Sequence, residues 1–385
     1  MREYMLTLVV AATVTYLLTP VARRIALRWG AITEVRDRDV HAIPTPRLGG
    51  VAMLGGFGAG LLVATRMPFL GPRLQDGQQT LALLSGAVLI TLLGVADDRW
   101  ELDALTKLAG QVLAAGVMVI GGVQMLYLPI GFLGGENVDG IPNTFVLGPV
   151  EGTVLTIGLV VLTVNAVNFV DGLDGLAAGI VAIAAAAFFV FSYILTVNES
   201  LTRATTSGVI AAALVGVCVG FLPHNFSPAR VFMGDSGSML LGLLLASTTI
   251  TLTGTVGPNV VQTDLAPALL PLILPIVVMA IPFLDVLLAI IRRTLAGRSP
   301  FAPDKQHLHH RLLERGHSHA RAVLVMYLWS AVIAFGATAS VFLETPALLI
   351  SLGAVCLVAV LLTMNIPRLR RGEGTFTGLR RGARR

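Results

Sequence analysis

Residues 153–196 read TVLTIGLVVLTVNAVNFVDGLDGLAAGIVAIAAAAFFVFSYILT. Two apolar runs, 153–168 and 175–196, flank a short polar gap that holds Asp171 and Asp174. A helix needs about 20 residues to cross the hydrocarbon of a bilayer. Inside lipid each backbone N–H and C=O must be satisfied within the segment, so runs of this kind are read as helices. The pattern repeats along the chain, with further runs at 4–21, 49–65, 79–96, 107–123, 207–222, 236–253, 265–291, 322–342 and 347–366. The predicted fold class is therefore all-α and polytopic, with about eleven transmembrane helices. The run at 153–168 is short for a span. The long run at 265–291 holds Pro267, Pro271, Pro275 and Pro282 and is expected to kink.

Composition agrees. The chain is 55% hydrophobic and only 13% charged, with mean hydropathy +0.81, whereas soluble domains carry about 25% charged residues. The formal charge is +5, but the basic residues sit in flanks and gaps, which argues for membrane orientation and against nucleic-acid binding. Cys218 and Cys356 are isolated in apolar runs, with no close Cys or His to complete a metal site. The first run is followed by Arg23 and Arg24 and lacks a clear basic lead, as a retained anchor would. The inverted-repeat signature of many secondary transporters is absent.

Orientation follows from Lys and Arg. With the N-terminus outside, 23 of the 27 basic residues fall in cytoplasmic gaps, and only Arg2, Arg66, Arg73 and Arg203 fall outside. The positive-inside rule then places the N-terminus outside and the C-terminus in the cytoplasm. The outer gap 124–152 is compatible with a short interfacial β-hairpin. Residues 1–366 read as one integral membrane catalytic domain. Residues 367–385, with seven arginines and four glycines, read as a disordered basic tail near anionic headgroups.

The polar residues able to do chemistry lie in alternate gaps, so one face of the membrane receives them all. Asp97-Asp98 closes the third run at a helix C-terminus, where the macrodipole and their mutual repulsion disfavour both charges. As ordinary acids they would form a solvated helix end. As a site they need a metal ion, Lys107 or a basic loop. Asn168, Asp171 and Asp174 fall between the fifth and sixth runs. Asp174 suits an N-cap, while the set with its glycines suits a pocket for phosphate or sugar at a helix N-terminus. Asn225, Phe232 and Asp235 lead into the eighth run. Asp235 is either a helix cap or a ligand for a hard divalent cation; Phe232 is placed to stack on a base or to pack at the interface.

His307, His309 and His310 sit in the largest inner gap. Three histidines suggest zinc, but without nearby cysteine they read better as donors to phosphate or sugar. His41 and Arg47 precede the second run and can close the same polar region. Asp285 lies deep in an apolar run, facing either the pocket or a neighbouring helix.

In this order, the motifs resemble the polyprenyl-phosphate N-acetylhexosamine-1-phosphate transferase family, also called glycosyltransferase family 4. The resemblance runs from about Pro44 to Ser318. It implies Mg²⁺ or Mn²⁺, a UDP-sugar donor and a polyprenyl phosphate acceptor in the membrane. It implies catalytic roles for Asp97, Asp98, Lys107 and Asp171, and metal ligation by Asp235 with Asn168. It implies substrate contacts from Asp174, Asn225, Phe232, His307, His309 and His310, which His41 and Arg47 are expected to join from their place before the second run. The sequence His307-Leu-His309-His310, followed by Arg311-Leu-Leu-Glu-Arg-Gly-His-Ser318, is similar to the branch that uses UDP-N-acetylglucosamine. It differs from the muramoyl-pentapeptide branch, which carries three adjacent histidines. Homodimerisation is expected from the resemblance alone. A transporter is the alternative from another class, but its path would need polar groups spread through the membrane depth.

Overall fold

The structure is a computed structural model that describes residues 1–32, 45–74, 77–128, 145–198, 204–253, 265–278, 319–343 and 345–365. Among them are eleven α-helices: α1 (Arg2–Trp29), α2 (Gly49–Arg66), α3 (Gly77–Trp100), α4 (Ala104–Ile120), α5 (Pro149–Val170), α6 (Leu176–Asn198), α7 (Ala204–Asn225), α8 (Gly234–Thr253), α9 (Leu265–Val278), α10 (His319–Phe342) and α11 (Thr345–Asn365). Eight of these described helices are long and apolar enough to cross a membrane. The protein is an all-α, multi-pass membrane protein.

Helix starts account for the main differences from the predicted runs. α5 begins at Pro149, ahead of the apolar run, and reaches 22 residues. Proline suits this first position because it lacks only an N–H that would have no helical partner. α4 begins at Ala104, where the Asp103 side chain accepts bonds from Leu105 N and Thr106 N, so Lys107 enters the first turn of the helix. Tyr127–Leu128 and Phe145–Val146 pair antiparallel; the residues between them are outside the described set. α9 stays helical through Pro271 and Pro275. The rest of that run, including Asp285, is also outside it, as are residues 367–385.

α8 is the hub. It packs against α2, α3, α5, α6, α7 and α9, and 94% of its apolar window is buried. α1 lies outside, on α2 and α7. α8 enters from the polar end as Gly234-Asp235-Ser236-Gly237-Ser238. Small residues allow helix backbones in a membrane to approach closely, and this entry turn is held by close neighbours. A Cβ on Gly50 of α2 would lie 2.2 Å from Ser236 C, and one on Gly94 of α3 would lie 2.3 Å from Ser236 Cα. Two helices thus clasp the turn that carries Asp235.

Candidate active site

The C-terminal ends of α3, α5 and α7 and the N-terminal ends of α4 and α8 meet at one end of the bundle. Asp97 and Asp98 lie in the last turn of α3 and are buried. A carboxylate at a helix C-terminus and an ammonium in a first turn each oppose the local macrodipole. Here they offset one another. Lys107 Nζ lies 2.6 Å from Asp97 Oδ2 and 3.0 Å from Asp235 Oδ2. The cation demanded by the aspartate pair is thus supplied to Asp97 by Lys107, which also joins α3 and α4 to α8. Asp97 Oδ1 accepts the Leu102 amide at 2.8 Å, which orients the carboxylate.

Asp98 is compensated differently. Its Oδ1 accepts Asp235 N at 2.9 Å and its Oδ2 accepts Ser236 N at 3.2 Å. Those amides belong to the first turn of α8, whose N–H groups have no helical acceptor. Asp98 therefore caps α8 from another helix. The preceding residue, Gly234, has φ 68°, and a Cβ there would lie 2.4 Å from Asp98 Oδ2. Glycine is required at this turn on both counts.

Asn168, near the end of α5, donates to Ser238 Oγ at 2.9 Å, one turn along α8 from Asp235. One turn back, Asn165 Nδ2 donates to Gln111 Oε1 at 2.7 Å, fastening α5 to α4. Asn225 supports the loops. Its Oδ1 accepts Gly175 N at 3.1 Å, and its Nδ2 donates to Val231 O at 3.0 Å. Asp174 Oδ2 accepts Ala229 N at 3.0 Å. α6 begins at Leu176, so Gly175 and not Asp174 precedes the first helical residue. The N-cap reading of Asp174 is corrected to a tie across the loops. Phe232 joins the segment before α2 through its backbone, donating to Pro46 O at 2.9 Å and accepting Gly49 N at 3.1 Å.

Asp171 follows α5 and is half-buried. Loss of hydration, then the negative charges of Asp235 and Asp98, push its carboxyl up to about 7, with the Arg47 guanidinium opposing the rise. Arg47 follows Pro46, whose carbonyl accepts Phe232 N, so its segment lies against the loop before α8. The folded protein binds the Asp171 proton more tightly than the unfolded chain does, so its stability falls as pH rises from about 4 through 7. Thermal melts of metal-free protein at pH 5 and pH 8 should show that fall, and Asp171→Asn should flatten it. An unchanged slope in the variant would remove Asp171 as its source.

His41, His307, His309 and His310 lie outside the described residues. Sequence reading missed Gln111, Ser238, the amides of Asp235 and Ser236, and the close approach of Gly50 and Gly94. The run Gly234-Asp235-Ser236-Gly237-Ser238 was the available signal for the last three.

The donor set is hard: carboxylates and the Asn168 amide. Among the described residues no group of three or more His, Cys, Asp or Glu side chains forms a metal cage. Mg²⁺ seldom needs one. It commonly takes one or two carboxylates and completes its shell with waters and substrate phosphates. Among the described residues, Asp97, Asp98 and Asp235 also outnumber Lys107, the cation that pairs with them, which favours an added divalent ion. The residues fit such an ion.

An aspartate-rich centre thus lies at one end of a multi-pass helical bundle. The family model for glycosyl transferase family 4 matches residues 80–253, and the chain belongs to that family. It is 47% identical over 378 residues to the decaprenyl-phosphate N-acetylglucosaminephosphotransferase of Mycolicibacterium smegmatis, covering 97% of this chain and 90% of that protein. It is 46% identical over 383 residues to the protein of the same name from Mycobacterium tuberculosis strain H37Rv, covering 98% and 92%. A probable undecaprenyl-phosphate N-acetylglucosaminyl 1-phosphate transferase of Bacillus subtilis is 33% identical over 344 residues, covering 87% and 85%.

Proposed function

We propose that this protein transfers N-acetylglucosamine-1-phosphate from UDP-N-acetylglucosamine to a membrane polyprenyl phosphate, decaprenyl or undecaprenyl, and releases UMP. The product, polyprenyl-diphosphate-N-acetylglucosamine, would begin a lipid-linked envelope polysaccharide. The observation that carries this reading is Lys107 held between Asp97 and Asp235 in a chain nearly half identical to transferases of that name. The plasma membrane is the proposed location, with the site on the cytoplasmic face, where the donor is made. Eleven spans with an outer N-terminus and a cytoplasmic C-terminus agree with the distribution of Lys and Arg.

An oxygen of the lipid phosphate attacks the β-phosphorus of the donor. The new P–O bond forms as the bond from that phosphorus to the bridging oxygen breaks, and UMP leaves with the bridging oxygen. Attacker and target are both anionic, so positioning and neutralisation of charge dominate the barrier. Asp97 takes the last proton of the acceptor phosphate. Lys107 meets charge on the phosphates, and Asp98 fixes the α8 turn. Asp235 and Asn168 would hold Mg²⁺ or Mn²⁺, which supplies electrostatic neutralisation of the diphosphate. Asp171, its charge offset by Arg47, faces the reacting phosphates.

Purified protein given UDP-N-acetylglucosamine, polyprenyl phosphate and Mg²⁺ should release UMP, with UDP-N-acetylmuramoyl-pentapeptide as the parallel donor. Release with the first donor alone is expected. Release with the pentapeptide donor alone would keep the family and overturn the assignment of sugar.

A further inference from the structure

Tyr327 lies on α10, outside the segment matched by the family model, and no role was read for it in the sequence. Its hydroxyl donates to Gly175 O. The same carbonyl already accepts Gly179 N at 3.0 Å within the first turn of α6. The tyrosine is therefore not needed to satisfy that oxygen; it adds a fixed direction. Across the Gly175 Cα, the N–H of the preceding peptide, Gly175 N, donates to Asn225 Oδ1 at 3.1 Å. Gly175 sits at φ 77°, next to Asp174 and four residues after Asp171.

The ring has a shaped seat. A Cβ on Gly179 would lie 1.9 Å from Tyr327 Cζ and 2.1 Å from its hydroxyl oxygen, so the ring occupies the space a side chain would fill. A Cβ on Gly175 would come 3.2 Å from the same oxygen. One ring thus contacts two glycines at the start of α6 and delivers its polar tip to the peptide that adjoins the aspartate loop. Tyrosine and not phenylalanine is needed to make that last contact.

We propose that Tyr327 is a positioning residue for the transfer reaction, acting through the Gly175 peptide on the Asp171–Asp174 loop. It links that loop to α10, the helix that leaves the segment bearing His307, His309 and His310. The inference rests on the reading of function given above. Because Tyr327 acts on loop direction and not on donor contacts, its loss lowers kcat without weakening KM.

Tyr327→Phe keeps the ring in its seat and removes only the donor. Its kcat should fall about tenfold, with the KM for UDP-N-acetylglucosamine within about twofold of wild type and the melting temperature nearly unchanged. Gly179→Ala displaces the ring while keeping the hydroxyl, and should give a similar loss. The double variant should be no worse than Gly179→Ala alone, because both changes remove one interaction. Wild-type kcat in Tyr327→Phe, or losses that multiply in the double variant, would overturn the proposal. Amide hydrogen exchange over residues 171–180 tests it without turnover. Faster exchange there in Tyr327→Phe, with α3 and α8 unchanged, is expected; identical exchange would overturn it. If the wild type released no UMP, the functional reading would fail while the exchange result still decided the role of Tyr327 in the loop.

Discussion

Asp235→Asn is expected to lose at least about 10³-fold in kcat while the protein stays folded. That loss corresponds to roughly 4 kcal/mol of barrier. The substitution preserves size and keeps a polar group in the first turn of α8, so the dipole contribution forgone is only about 0.3–1 kcal/mol. The Asp235 amide bond to Asp98 Oδ1 belongs to the backbone and survives. What disappears is the anion that faces Lys107 at 3.0 Å and the carboxylate proposed to hold a divalent ion. Lys107 then pairs with Asp97 alone, which withholds the group proposed to accept the proton. UMP release together with a thermal melt checks this. Full activity in folded Asp235→Asn would remove Asp235 from the chemistry.

Gly94→Val is expected to damage the fold and the site together. A Cβ at this position lies 2.3 Å from Ser236 Cα and 2.4 Å from Ser236 N, and both are backbone atoms that cannot rotate away. α3 must then move from α8, which stretches the Asp98 bonds to Asp235 N and Ser236 N and separates Asp97 from Asp235. Overpacking costs about 1–3 kcal/mol, which lowers the melting temperature. Turnover should fall by about 100-fold or more, because a displacement near 1 Å at a reacting centre already costs that much. Gly116→Ala is the control. A Cβ there meets open space, and alanine is the better helix former by about 1 kcal/mol, so melting and turnover should stay at wild-type values or rise. Equal behaviour of the two variants would contradict the clasp around the α8 turn.

The helical class was legible because lipid leaves a long apolar run few structural options, so each predicted run contains or overlaps a described helix. Helix ends were less legible where capping set them. Asp103 starts α4 three residues early by accepting two amides, and Pro149 starts α5 four residues early. The aspartate pair could be recognised as costly from its place at a helix end, and the need for a cation followed. That this cation, Lys107, would also face Asp235 depends on how α3, α4 and α8 pack. A one-dimensional pattern does not contain that packing.

The division of labour between Asp97 and Asp98 was also hidden. Adjacent residues on a helix point about 100° apart, so one meets Lys107 and the other meets the amides of α8. Asn225 shows the same limit. Its place beside the eighth run was visible, but its bonds to Gly175 N and Val231 O cross two loops. Tyr327 carried no signal, since an aromatic in an apolar helix is ordinarily packing.

The most direct test follows the phosphate itself. Purified protein is given UDP-N-acetylglucosamine labelled at the β-phosphorus, with Mg²⁺, with and without polyprenyl phosphate, and the label is traced to lipid or to protein. Label that enters the lipid fraction only when the acceptor is present, in step with UMP, is the expected result. Protein shown to be folded that delivers no label to lipid under these conditions would contradict the assigned transfer.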